Sequence, residues 1–150
     1  MTTPIVNDVL TPRRLLLGLL LAAPLALASE GHDLTFQGDA SFAGAHGGQA
    51  VQAALVDAET GEVLETDSGT VSADADPTFT FDFPGALREG GRYEVHYWID
   101  SNFGGGSEGS CDPMGTDHQW RVALEASGDA VTHVASHDPG AQSEVCATFE

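Results

Sequence analysis

The sequence predicts an all-β protein: a single antiparallel β-sandwich of about seven to eight strands behind an N-terminal leader. Three observations predict it. Apolar and polar residues alternate with a period of two in successive short runs. No stretch of the mature region sustains a helical period. Turn-forming residues separate the runs at the close, regular spacing of sandwich strands. A length of 150 residues gives room for one such domain, with two as the upper bound.

The leader comes first. Residues 1–28 read as an export signal rather than a membrane span. Polar residues 1–12 precede Arg13-Arg14, and an apolar run over 15–25 ends at Ala26-Leu27-Ala28, an A-x-A cleavage site. The run is too short to serve comfortably as a mature anchor, and no cysteine follows it to carry a lipid. Arg13-Arg14 before three leucines resembles a twin-arginine signal; an ordinary Sec signal that holds two arginines is the alternative. Either way, residues 29–150 are expected to be exported, to a periplasmic or extracellular location.

The strands follow in order. Leu34 and Phe36, with Phe42 beyond them, alternate with Asp33, Thr35 and Gln37 in a first strand. Residues 49–57 form a second. Glu59-Thr60-Gly61 then turns the chain, and 62–66 returns as a hairpin partner, with 70–73 as a short continuation. Phe79, Phe81 and Phe83 alternate with Thr78, Thr80 and Asp82 in the clearest strand of all. Over 92–100, Tyr93, Val95, Tyr97 and Ile99 share one face, and Glu94, His96 and Trp98 share the other. Over 117–125, His118, Trp120, Val122 and Leu124 share a face. Runs at 130–135 and 144–149 finish the chain. The expected core is Phe79, Phe81, Phe83, Tyr93, Tyr97 and Trp120, in a domain that buries about two-thirds of its unfolded surface.

Charge narrows the function. The chain has 23 acidic residues against 5 arginines and no lysine, a net −18. The leader holds Asp8, Arg13 and Arg14, so 22 acids and three arginines (Arg88, Arg92, Arg121) leave −19 for residues 29–150. Such a surface cannot displace phosphate counterions, which excludes nucleic acid as a partner. It is also repelled by an anionic membrane. The acidity has two readings, adaptation to high salt and cation binding. An exposed sheet edge could recruit a protein partner or a second copy by strand addition.

Cys111 and Cys146 suit an oxidising compartment. A bridge between them would pin the glycine-rich loop to the last run; a metal-binding thiolate pair or two buried thiols are the alternatives. The same loop, 100–117, gathers Asp100, Asn102, Glu108, Asp112 and Asp117. Oxygen donors on a flexible loop are what Ca²⁺ requires, and Asp100-x-Asn102-x-Gly104-Gly105 partly matches the start of a calcium loop. A network of Asp and Asn side chains capping backbone N–H groups is the structural alternative. Six histidines raise a copper or zinc reading, a site drawn from His96, His118, His133 or His137 with a carboxylate, and His118, His133 and His96 are the ligands expected first. His118 faces inward with Trp120, while the adjacent Asp117 points the other way. Arg121 is expected to pair with Asp100 or Asp117. No G-x-S-x-G elbow, H-E-x-x-H or phosphate loop is present, so no enzyme is expected, and a small hydrolase built on the loop acids is the distant third reading.

Phe83-Pro84-Gly85-Ala86-Leu87 with Gly91, then Tyr93-Glu94-Val95-His96-Tyr97-Trp98-Ile99-Asp100-Ser101-Asn102, form a recognisable run. Asp112-Pro113 and Asp117-His118-x-Trp120-Arg121 follow it. Together they resemble small exported bacterial β-sandwich modules of the transthyretin-like kind. The resemblance covers about a third of the chain. It implies a transthyretin/immunoglobulin-like sandwich, and a role in binding, display or support rather than catalysis. The expectation is an acidic exported module that binds or assembles, with a cation-stabilised loop at 100–117; a periplasmic copper or zinc protein is the alternative.

Overall fold

A computed structural model describes residues 31–150, and the expected leader lies outside the described residues. Among the described residues, seven strands form two packed sheets. They are β1 (His32–Gly38), β2 (Ala50–Asp57), β3 (Val63–Thr70), β4 (Phe79–Leu87), β5 (Arg92–Ile99), β6 (His118–Glu125) and β7 (Val131–Ala135). One sheet has the order β4-β1-β7 and the other β3-β2-β5-β6. The expected all-β sandwich is therefore the observed fold.

Alternation decides which side chains meet between the sheets. Leu34 and Phe36 of β1, Phe79, Phe81 and Phe83 of β4, Tyr93, Val95 and Tyr97 of β5 and Trp120 of β6 are all buried there. Phe36, Phe79, Tyr97 and Trp120 connect the sheets through ring contacts of 5.0 to 6.3 Å, the offset and tilted geometries aromatic quadrupoles favour. The six expected core residues all lie in this cluster.

Three local features differ from expectation. First, the three-stranded sheet is not wholly antiparallel: β1 pairs antiparallel with β4 but parallel with β7. A parallel pair needs a long crossover, and here the four strands of the second sheet, together with β4, supply it. Second, Phe42 is not on a strand. β1 ends at Gly38, and a six-residue helix, α1 (Ser41–His46), follows. The Asp39 carboxylate accepts the Ser41 backbone N–H at 2.9 Å, which turns the chain out of the sheet. Third, the run at 144–149 forms a short 3-10 turn (Cys146–Thr148) rather than a strand. Its backbone is held by a side chain instead of a ladder: the Val145 N–H donates to Gln119 Oε1 at 2.8 Å.

Cys111 and Cys146 form the disulfide, with Cα atoms 5.3 Å apart. No described helix is long and apolar enough to cross a membrane.

Candidate metal centre

The parallel β1–β7 pair has a direct consequence. Both strands end at the same end of their sheet, with Gly38 opposite Ala135. The segments that follow them, α1 and residues 136–137, therefore emerge side by side. Asp39 ties them together. Its carboxylate accepts from the Ser41 N–H and hydroxyl and from the Ser136 hydroxyl, and these bonds hold its acid below the usual carboxylate range. Ser41 Oγ in turn accepts the His137 backbone N–H at 2.8 Å. At the same end of the facing sheet, His118 opens β6 opposite Ile99.

Three histidines converge there. His46 Nε2 lies 3.0 Å from His118 Nδ1 and 3.1 Å from His137 Nε2, and the last two nitrogens are 3.4 Å apart. His46 sits at the inner end of α1, where Phe42 and His46 share the one buried face, as i and i+4 must. Its other ring nitrogen, Nδ1, is 2.7 Å from Gln49 Oε1. An amide oxygen only accepts, so Nδ1 carries the proton and Nε2 presents its lone pair to the other two rings. Gly48 makes this possible: at φ +87°, in the left-handed region glycine favours, it brings Gln49 back toward His46.

The triangle fits a metal ion. An ion held at about 2.0–2.1 Å from each nitrogen would sit about 0.9 Å above their plane. Neighbouring ligands at such bond lengths are about 3.0 Å apart at right angles and about 3.4 Å apart in a tetrahedron, the span seen here. Three imidazole nitrogens and no sulfur suit Zn²⁺ or Cu²⁺ rather than a soft ion, since both cysteines are in the disulfide. Burial pushes the His46 imidazole below its usual range against the opposing Gln49 hydrogen bond, and His137 and His118 add to the depression. Burial and His137 likewise lower His118, against the pull of Asp117. Uncharged rings are the ligand form.

The sequence-predicted residues fall in separate places. His118 is in the cluster. His133 is not: its ring stacks on Phe36 at 5.7 Å, and burial lowers its pKa. His96 is on the opposite face of β5, buried between Thr148 Oγ1 at 2.7 Å and Glu94 Oε2 at 2.8 Å. Arg121 approaches Glu94 at 3.6 Å, so the expected pairing with Asp100 or Asp117 is corrected. Neighbouring strands put Arg121 opposite His96, which brings it to Glu94 and away from the loop.

The loop acids serve the backbone. Fully buried Asp117 accepts from Ser101 and Asn102 N–H through Oδ1 and from Asp112 N–H through Oδ2, all within 3.0 Å. Asp100 accepts from Asn102 Nδ2 and from Gly109 N–H, and Asp112 from Ser107 N–H. This is the capping network of turn-forming Asp and Asn. One atom stands apart: Asn102 Oδ1 is buried without a hydrogen-bond partner.

His46 is the member of the cluster that sequence reasoning missed. A six-residue helix is too short to show a period; the available signal was Phe42 and His46 four apart, followed by Gly47-Gly48. No protein-family model matches the chain, and no curated protein matches it.

Proposed function

We propose that this protein is an exported, acidic β-sandwich that binds a divalent transition-metal ion, Zn²⁺ or Cu²⁺, through His46, His118 and His137. The observation that carries the reading is the triangle of ring nitrogens, each within 3.4 Å of the other two. Its orientation is supported by Gln49 and Asp39, the outer-shell partners that a ligand set requires. The net charge of −18 adds a field that draws cations toward the molecule. The disulfide is compatible with an oxidising, extracytoplasmic location. The test is calorimetric titration of chelator-stripped protein with Zn²⁺ and Cu²⁺. One ion should bind per chain, and His46→Ala or His137→Ala should abolish it. His133→Ala and His96→Ala should leave it intact. Binding that survives His46→Ala, or that disappears with His133→Ala, would overturn the assignment.

A calcium-stabilised loop at 100–117 is the second reading, favoured by one observation. Asn102 Oδ1, which has no partner, and Asp112 Oδ2, which accepts from Ser107 N–H, both face Gly106, where an added Cβ would lie 2.2 and 2.6 Å from them. A thermal midpoint that does not move between Ca²⁺ and chelator would remove this reading without touching the histidine centre.

A further inference from the structure

We infer that a metal ion held by His46, His118 and His137 keeps one coordination position open to solvent, and that this position takes a small monodentate ligand from outside, water or an anion of the azide class. The inference rests on the metal-binding reading above. The ligand set closes at three: among the described residues, no other histidine, cysteine or carboxylate offers an atom within 4.8 Å of all three nitrogens. A zinc-like ion takes four ligands, and sites with a purely structural role fill the fourth from the protein. Here no histidine, cysteine or carboxylate among the described residues fills the fourth.

The aromatic surroundings decide which way the free position points. Buried Trp120 lies 5.6, 6.3 and 5.8 Å from the rings of His118, His46 and His137, standing steeply to all three. Its indole N–H is committed to the Asp138 carbonyl at 2.8 Å, so it closes the inner side without offering a ligand. Phe42 packs on His137 and His46 from the core as well. His118 and His137, by contrast, are partly exposed, so the remaining valence faces outward.

Phe103 stands at that opening. It is 45% exposed, and its ring is 5.0 Å from His118 and 6.1 Å from His46. Its backbone N–H donates to the Thr116 carbonyl at 2.9 Å, which fixes it against the segment that leads into His118. An aromatic ring in this place narrows the entrance and selects for size, so Phe103 is a specificity-determining residue for the outside ligand.

The test uses the full chain, stripped of metal and loaded with Co²⁺, whose visible absorption reports its coordination. Zinc competition run in parallel measures occupancy. Azide should shift the Co²⁺ bands in a saturable one-to-one titration. Phe103→Ala should leave the azide response little changed and strengthen the response to the bulkier imidazole several-fold. Co²⁺ bands that do not respond to azide would overturn the open position and leave the metal-binding reading standing. Failure of Co²⁺, Zn²⁺ and Cu²⁺ alike to bind would overturn the reading beneath it. An imidazole response unchanged in Phe103→Ala would remove that residue from the entrance.

Discussion

At the residue scale the centre depends on which nitrogen of each imidazole carries a proton. Gln49 decides this for His46 by accepting from Nδ1. Replacing it with leucine keeps the volume roughly similar and removes the acceptor. Gln49→Leu is expected to weaken metal affinity by about ten- to a hundredfold, measured by chelator competition, while the fold persists. Protonation adds a pH dependence whose sign is set by burial. His46, His118 and His133 all have folded-state values below the ordinary 6.5. Above that value both folded and unfolded rings are neutral, and the full contribution to stability is present. As pH falls below it, the unfolded chain takes up protons that the folded state refuses, so stability drops until the lowered folded values are passed. Thermal melts of metal-free protein should therefore show a falling midpoint on acidification from neutrality, with a smaller fall in His133→Phe. Bound metal should be released only at lower pH, where the folded rings themselves take up protons, because protons compete for the same lone pairs.

At the element scale, two short pieces bring the ligands together. Helix α1 is anchored by Phe42, which is fully buried and packs on Phe79, Tyr97 and Trp120. Phe42→Ala should cost about 3–5 kcal/mol by removing that anchor and should also weaken metal binding, since His46 rides on the same face. Denaturant melts and metal titration would separate the two effects. The loop between β5 and β6 is the other piece. The Cys111–Cys146 bridge spans 35 residues, and the Asp112 carbonyl beside it accepts from Gln119 Nε2 at 2.8 Å. Losing the bridge in a Cys111→Ser, Cys146→Ser variant should cost about 3–4 kcal/mol on the chain-entropy view. The loop also carries Phe103 and leads into His118, so metal affinity should fall with it. Unchanged affinity in that variant would mean that Asp117 and its three backbone donors hold the loop alone.

At the scale of the whole molecule, charge is the dominant feature. With −18 on 150 residues and no lysine, the folded surface repels itself at low ionic strength. Its ion pairs offer little relief: Arg92–Glu59 is largely exposed and Arg121–Glu94 is a long contact, the kind that contributes about 0–1 kcal/mol. Raising salt from millimolar to molar should therefore raise the thermal midpoint markedly, through screening. A midpoint that falls or stays flat would mean that the acids are already compensated in the fold. The same repulsion guards the edge strand β3, whose residues are all exposed and include Glu65 and Asp67, against pairing with another chain.

Most of the fold was legible in the sequence because strand alternation is a local signal. Phe79, Phe81 and Phe83, or Tyr93, Val95 and Tyr97, mark a buried face whatever lies opposite. The disulfide was legible as the only possible cysteine pair, and the acidic surface needed no structure at all. The histidine cluster was legible only in part. His118 could be seen on an inward face, but only the four-residue spacing from Phe42 pointed to His46, and nothing local distinguishes His137 from His133 and His96. Its histidines are separated by 72 and 19 residues along the chain, and what joins them is the parallel pairing of β1 with β7. Pairing direction depends on which strands end up adjacent, a property of the assembled sheets that no window of sequence contains. Composition and alternation thus determined an acidic β-sandwich stapled by one disulfide. Tertiary structure alone decided which histidines meet.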